Sequence, residues 1–68
     1  METHYTGSTD IGEVIADGIM HGEVTLLTDL GEIRFRVIGT DATTITGKTA
    51  DHKLVTVEIV PPYVVRIS

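Results

Sequence analysis

The chain has 68 residues, which is enough for one domain. A domain of this size buries too little surface to be strongly stable alone. We therefore expect association with further copies of the chain to add stability. Ten acidic and five basic residues give a net charge of −5, which disfavours non-specific binding to nucleic acid. The chain has no cysteine for disulfides or thiolate metal sites, and no apolar run approaches the ~20 residues that span a bilayer. We therefore expect a soluble, cytoplasmic protein.

The polar stretch Met1–Gly7 has no periodicity and is predicted to be a flexible tail. A helix is predicted over roughly Thr9–Met20, because Asp10 is a suitable N-cap and apolar residues then recur at helical spacing. The recurring residues are Ile11, Val14, Ile15, Ala16, Ile19 and Met20. A hairpin is the alternative, since Asp17-Gly18 is a typical hairpin dipeptide and glycine weakens a helix interior. The sequence leaves this choice open.

The longest predicted strand, Gly31–Asp41, organises the rest of the chain. Its apolar and charged residues fall on opposite sides of an extended backbone, as expected for a strand with one buried face. The apolar set is Ile33, Phe35 and Val37, and the charged set is Glu32, Arg34 and Arg36. Ile38 interrupts the charged set, and Gly39 follows at a position where a strand can bend or bulge. Glu23–Thr28 is predicted to pair with this strand as a hairpin.

Three further strands are predicted in the second half of the chain, at Thr44–Lys48, Leu54–Val60 and Tyr63–Ser68. Pro61-Pro62 separates the last two, because proline cannot donate a ladder hydrogen bond. The predicted fold is mainly β. We expect a small, strongly bent, five-stranded antiparallel barrel with an N-terminal α-helix, forming a single domain over residues 8–68.

Two short motifs within this order of elements resemble the Sm-like family, which includes the bacterial Hfq type. Gly39-Thr40-Asp41, followed by Thr44-Ile45, is similar to the end of the first Sm motif. The stretch Ile59-Val60-Pro61-Pro62-Tyr63-Val64-Val65-Arg66-Ile67 is similar to the second motif. The resemblance covers the chain from about Thr9 to Ser68 and implies a barrel of the Sm-like or SH3 type.

The resemblance also implies a closed homo-oligomeric ring of about five to seven copies, in which the fourth strand of one copy pairs with the fifth strand of the next. In this chain those strands are Leu54–Val60 and Tyr63–Ser68, and neither has the internal proline or repeated lysine that protects a free edge. The interface residues expected on this basis are Val55, Val57, Ile59, Val64, Val65 and Ile67.

A site for single-stranded RNA is a further implication of the resemblance, carried here by Thr40, Asp41, Thr43 and Tyr63. Thr43 stands where family members place a stacking side chain. Pro61-Pro62 occupies the corner before the last strand, where family members have a basic or amide side chain. Loss of stacking removes about 1–3 kcal/mol per base. Asp41 also has a purely structural interpretation, as a cap for the backbone of its own loop. RNA binding is therefore expected to be weak or lost.

No group of residues in the sequence predicts catalysis, because a nucleophile, a positioned base and an oxyanion site do not occur together. His52 lies alone between Asp51 and Lys53, whereas a metal site needs three or four convergent donors. We expect no enzyme activity, no metal and no cofactor. The leading hypothesis is a homo-oligomeric Sm-like ring that serves as an assembly or interaction module, and the alternative is a divergent Sm-like RNA-binding protein.

Overall fold

One helix and six strands make up the computed structural model, which describes all 68 residues, Met1–Ser68. In chain order the elements are β1 (Glu2–His4), α1 (Ile11–Met20), β2 (Val24–Thr28), β3 (Gly31–Thr40), β4 (Thr44–Lys48), β5 (Leu54–Glu58) and β6 (Val64–Ile67). The mainly β, antiparallel, barrel-like architecture predicted from the sequence is confirmed, with one strand more than expected.

Residues 11–20 form a helix and not a hairpin. Asp10 caps its N-terminus, because the Asp10 Oδ1 accepts a hydrogen bond of 2.7 Å from the Gly12 N–H. Ile11 and Ile15 are buried on the side of the helix that faces the barrel. At ten residues, α1 falls well short of the length that a helix needs to cross a bilayer.

Gly18 decides how closely α1 approaches the barrel. A Cβ placed on Gly18 would lie 2.6 Å from the Val24 Cγ2 and 2.8 Å from the Glu23 carbonyl oxygen, distances that side chains do not adopt. The glycine that weakens the helix as an isolated element is therefore required where the helix packs against the start of β2.

The six strands form one antiparallel sheet in the order β1-β6-β5-β4-β3-β2. An isolated bridge between Tyr5 and Thr28 joins the two outer strands. The Thr6 N–H donates to the Leu27 carbonyl at 2.9 Å beside this bridge, which brings the sheet close to a closed barrel.

Strand β3 is long enough to pair with two different neighbours. Its first half, Gly31–Phe35, pairs with β2, and its second half, Arg36–Thr40, pairs with β4. Because the partner changes between Phe35 and Arg36, each half of β3 has a neighbouring strand on one side only.

A bulge in β3 confirms the irregularity predicted at Gly39. Val37 lies opposite Gly47 and Gly39 lies opposite Thr46, so Ile38 is an extra residue without a partner on β4. Bulges bend the strand and change the direction of the side chain that they carry. Here the Ile38 side chain is 57% exposed, although its neighbour Val37 is half-buried.

The core is a single apolar cluster inside the barrel and beneath α1. It contains Ile11, Ile15, Val24, Leu26, Ile33, Phe35, Ile45, Val55, Val57 and Val65. Ile33 and Phe35 are buried, whereas Arg34 and Arg36 are exposed, as the alternation in the sequence predicted. The only phenylalanine of the chain, Phe35, is the largest of its fully buried side chains.

In place of the tail expected at Met1–Gly7, the chain forms β1, which pairs with β6 over Glu2–His4. The Met1 ammonium group donates to the Ile67 carbonyl at 2.9 Å. The Thr3 side chain is buried inside the barrel. A strand of three residues is too short to show an alternating pattern, and its polar composition resembles that of an unpaired terminus, which explains why the sequence did not predict it.

The strands expected to pair between copies pair with each other inside one chain. Val55 lies opposite Ile67 and Val57 opposite Val65 in the β5–β6 ladder. Strand β5 also pairs with β4, and β6 also pairs with β1. Both sides of both strands are therefore occupied, which corrects the expectation that they offer free edges.

Candidate functional site

A groove of about 430 Å³ lies between the C-terminal end of α1 and the second half of β3, Arg36–Thr40. The β3 side of the groove consists of Arg36–Thr40. The opposite side consists of Gly18 and Ile19 at the end of α1 and of the segment Gly22–Val24 that leads into β2. A groove of this volume is in the range of ordinary ligand sites.

Apolar side chains are exposed along the groove. Ile19 on the helix side is 50% exposed, and Ile38 on the strand side projects from the bulge. Met20, the residue after Ile19, is also exposed. Ile19 and Ile38 come from two elements on opposite sides of one depression, so both present apolar surface to it.

The groove follows the part of β3 that has no neighbouring strand on the side away from β4. The last residue of β3 with a partner on β2 is Phe35, which lies opposite Val24. The chain before Val24 does not continue along β3, because the Glu23 N–H donates to the Gly18 carbonyl at 2.9 Å in the turn after the helix. The edge of Arg36–Thr40 away from β4 is consequently open toward the groove.

A second depression of about 390 Å³ adjoins the first and shares Glu23, Arg36 and Ile38 with it. It also contains Lys48, which lies directly opposite Arg36 on β4. Its remaining lining comes from the turn after β4 and includes His52. The second depression therefore places Lys48 next to Arg36 at one end of the apolar groove.

Arg36 and Lys48 differ from the other arginines and lysines of the chain because no carboxylate lies within ion-pair distance of either. Each of the other three has such a partner: Arg34 with Glu32 at 3.9 Å, Lys53 with Asp51 at 3.6 Å, and Arg66 with Glu2 at 3.2 Å and Glu58 at 3.4 Å. Like charges directly opposite on neighbouring strands are mutually destabilising. This cross-strand pair is thus left uncompensated within the chain.

The turn beside Lys48 is held by its own hydrogen bonds. The Thr49 hydroxyl donates to the Asp51 carboxylate and accepts from the Lys53 N–H at 3.0 Å. The Thr49 hydroxyl, the Asp51 backbone N–H and the nearby Lys53 ammonium hold the pKa of the Asp51 carboxyl below its ordinary value. His52 adopts a left-handed backbone conformation with φ of 66° at the tip of this turn.

The four residues predicted to bind RNA do not line a common cavity. Thr40 lines the apolar groove, whereas Asp41, Thr43 and Tyr63 line neither depression. The Asp41 Oδ1 accepts from the Ala42 N–H at 2.7 Å, which is the local capping that the structural interpretation predicted. The Tyr63 ring is half-buried, with its centroid 6.1 Å from that of Tyr5 in an edge-to-face arrangement.

Most of the residues predicted at an interface between copies belong to the core. Val55, Val57 and Val65 have no exposed surface, and Val64 is buried as well. Ile59 and Ile67 are half-buried and pack against the core cluster. In the folded chain these side chains therefore contribute mainly to the core.

Ile19, Arg36, Ile38 and Lys48 form the site that reasoning from the sequence missed. The available signals were Ile38, which interrupts the charged face of β3, and Arg36, which shares that face with Arg34. Nothing local to the sequence places the end of α1 beside β3 or Lys48 opposite Arg36, because both relationships depend on how distant elements pair.

The structure contains no group of three or more His, Cys, Asp or Glu side chains arranged to hold a metal ion. Comparison of the chain with protein-family models, with curated proteins and with solved structures finds no match. The Sm-like resemblance therefore rests on its short sequence motifs alone.

Proposed function

We propose that the protein is a non-catalytic interaction module that binds an extended segment of a partner protein along the open edge of β3. The observation that carries this proposal is that Arg36–Thr40 pair with β4 on one side and border an apolar groove on the other. A segment added there as a strand would form main-chain hydrogen bonds with β3 and insert alternate side chains into the groove.

The exposed apolar residues supply the favourable free energy for such a contact. A bound segment would cover Ile19 and Ile38, and each Å² of apolar surface removed from water contributes about 25 cal/mol. Five strand residues span roughly 17 Å, so the contact is smaller than a standard protein–protein interface. We therefore expect reversible binding with a Kd on the order of 10 µM.

This proposal retains the interaction module expected from the sequence and assigns it a different surface. The Sm-like ring would need β5 of one copy to pair with β6 of the next, and these strands pair within one chain. The second half of β3, in contrast, has no strand on the side away from β4. A small Sm-like barrel is compatible with the proposed function, because a fold acquires its activity from the site it carries.

The test is selection of binding peptides from a displayed library of random octapeptides, followed by NMR of the labelled protein with a selected peptide. We expect enriched peptides to have alternating apolar residues and to shift the amide signals of Val37–Thr40. Ile38→Asp should abolish binding. Leu27→Asp is the matched control, because Leu27 is 52% exposed on β2 and lies outside both depressions.

Circular dichroism of both variants establishes that they are folded. Peptide binding that survives Ile38→Asp, or amide shifts that lie away from the groove, would overturn the proposal. So would a failure of the library to yield any enriched peptide. Self-association that is lost in Ile38→Asp would identify a second copy of the chain, and not a partner protein, as the occupant of the groove.

A further inference from the structure

We infer that the segment bound in the groove carries an aspartate or glutamate side chain at its C-terminal end, recognised jointly by Arg36 and Lys48. The inference rests on the proposed function and names the chemistry of the partner. It explains why two cations occupy opposite positions on β3 and β4 without a carboxylate partner in the chain.

The cross-strand arrangement suits a carboxylate better than it suits the free protein. Side chains directly opposite on antiparallel strands have Cβ atoms about 4.5–5.5 Å apart, so the two long side chains start from neighbouring points and can reach one common ligand. A carboxylate placed between them would replace a repulsion by two charge-assisted contacts. Arg36 can bind both oxygens of one carboxylate, and Lys48 adds a compact charge.

The other titratable groups of this depression leave it electropositive. Glu23 and His52 line the same depression, and Glu23 lies outside ion-pair distance of either cation. With two cations and one carboxylate, the depression carries one net positive charge in a chain whose total is −5. The remaining surface repels a long acidic run, which favours a single, well-placed acidic residue in the partner.

The position of the acidic residue follows from strand direction. All neighbouring strands in this barrel are antiparallel, and an added strand would continue the line of β2 beside β3. An antiparallel strand along Arg36–Thr40 has its C-terminal end beside Arg36, where the groove joins the cationic depression. The apolar residues of the segment then precede the acidic one.

A double-mutant cycle with a library-selected peptide tests the inference. The peptide is synthesised with an amidated C-terminus, once with its acidic residue and once with the corresponding amide, and fluorescence polarisation gives the Kd of each. We expect the amide peptide to bind wild-type protein roughly five- to tenfold more weakly. Arg36→Gln and Lys48→Gln should each remove most of this difference.

Arg34→Gln is the matched control, because Arg34 lies on the same exposed face of β3 and is paired with Glu32. It should leave the preference for the acidic peptide unchanged. The preference should also decrease as NaCl is raised, since added salt screens exposed charges.

Equal binding of the acidic and amide peptides would overturn the inference while leaving the proposed function intact, provided that Ile38→Asp still abolishes binding. If no peptide binds at the groove, the proposed function fails together with the inference. The amide peptide can also be made with a free C-terminal carboxylate. If this change restores its affinity, the protein recognises a chain terminus, and the assignment to an acidic side chain is overturned.

Discussion

Tyr5 and Thr28 form an antiparallel bridge that connects β1 with β2 and brings the barrel close to closure. The neighbouring Thr6 N–H donates to the Leu27 carbonyl at 2.9 Å, and the Tyr5 hydroxyl donates to the Thr9 carbonyl at 3.1 Å. The first residues of the chain thus contact both the far edge of the sheet and the segment that leads into α1. They are part of the folded domain, and their substitution should affect its stability.

Thr3→Val should stabilise the protein by about 1–2 kcal/mol, because the Thr3 Oγ1 is buried without a hydrogen-bond partner. Thr28→Val is the matched control. Thr28 is equally buried, but its hydroxyl donates to the Gly31 carbonyl at 2.8 Å and accepts from the Leu30 N–H at 3.2 Å. Its loss should destabilise by about 1–3 kcal/mol. Urea unfolding measures both, and a change of the same sign in the two variants would contradict the assignment.

Phe35→Ala should destabilise the protein by about 3–5 kcal/mol, because Phe35 is 1% exposed and is the largest fully buried side chain of the core. Arg34→Ala should change the free energy of unfolding by less than about 0.5 kcal/mol, since its ion pair with Glu32 at 3.9 Å is exposed. Thermal and urea unfolding provide the comparison. Equal losses in the two variants would show that the register of β3 is wrong.

Gly47→Ala should destabilise the protein by about 1–3 kcal/mol, because an added Cβ would collide with the Phe35 ring and the Arg36 carbonyl. Gly39→Ala tests the glycine at the bulge, where no atom apart from Gly39 and its two chain neighbours lies within 4 Å of the Cβ position. We expect its effect on the unfolding free energy to stay within about 0.5 kcal/mol. A larger loss for Gly39→Ala than for Gly47→Ala would be incompatible with the packing described.

Light scattering at micromolar concentration should give the mass of one 7.4 kDa chain. A ring based on the Sm-like pattern requires open edges at β5 and β6, and each of these strands has a neighbour on both sides. Forming the ring would first require opening of the β5–β6 ladder in every copy. A scattering mass of about five to seven chains would contradict this strand pairing and favour the assembly implied by the resemblance.

Short uridine-rich or adenine-rich RNA should bind more weakly than ~10 µM at physiological salt, a range typical of non-specific contact. The Tyr63 ring packs edge-to-face against Tyr5, and the Asp41 carboxylate already accepts a backbone hydrogen bond. Filter binding at several salt concentrations measures the affinity. Submicromolar binding that is reduced in Asp41→Ala would instead support the RNA-binding alternative.

Local patterns in the sequence were sufficient to predict much of the fold. The alternation through Ile33, Arg34 and Phe35 identified the buried face of β3, because neighbouring side chains on a strand point to opposite sides. Pro61-Pro62 separated the last two strands because proline interrupts a ladder. Such signals act within one element and need no information about its neighbours. The helical and hairpin signals around Gly18 conflicted, and the sequence alone did not choose between them.

The sequence by itself determined which side of β3 is apolar, where that strand bulges and that the chain folds mainly as β-structure. Only the tertiary structure decided that Tyr5, just after β1, bridges to Thr28 of β2 and so nearly closes the barrel. It also decided that β5 and β6 pair within one chain and that Lys48 lies opposite Arg36. The physical reason is that strand order and register depend on how all edges of the sheet are satisfied together. A three-residue strand such as β1 has too few side chains to show an alternating pattern, and it becomes a strand only because it pairs with the side of β6 that β5 leaves unoccupied.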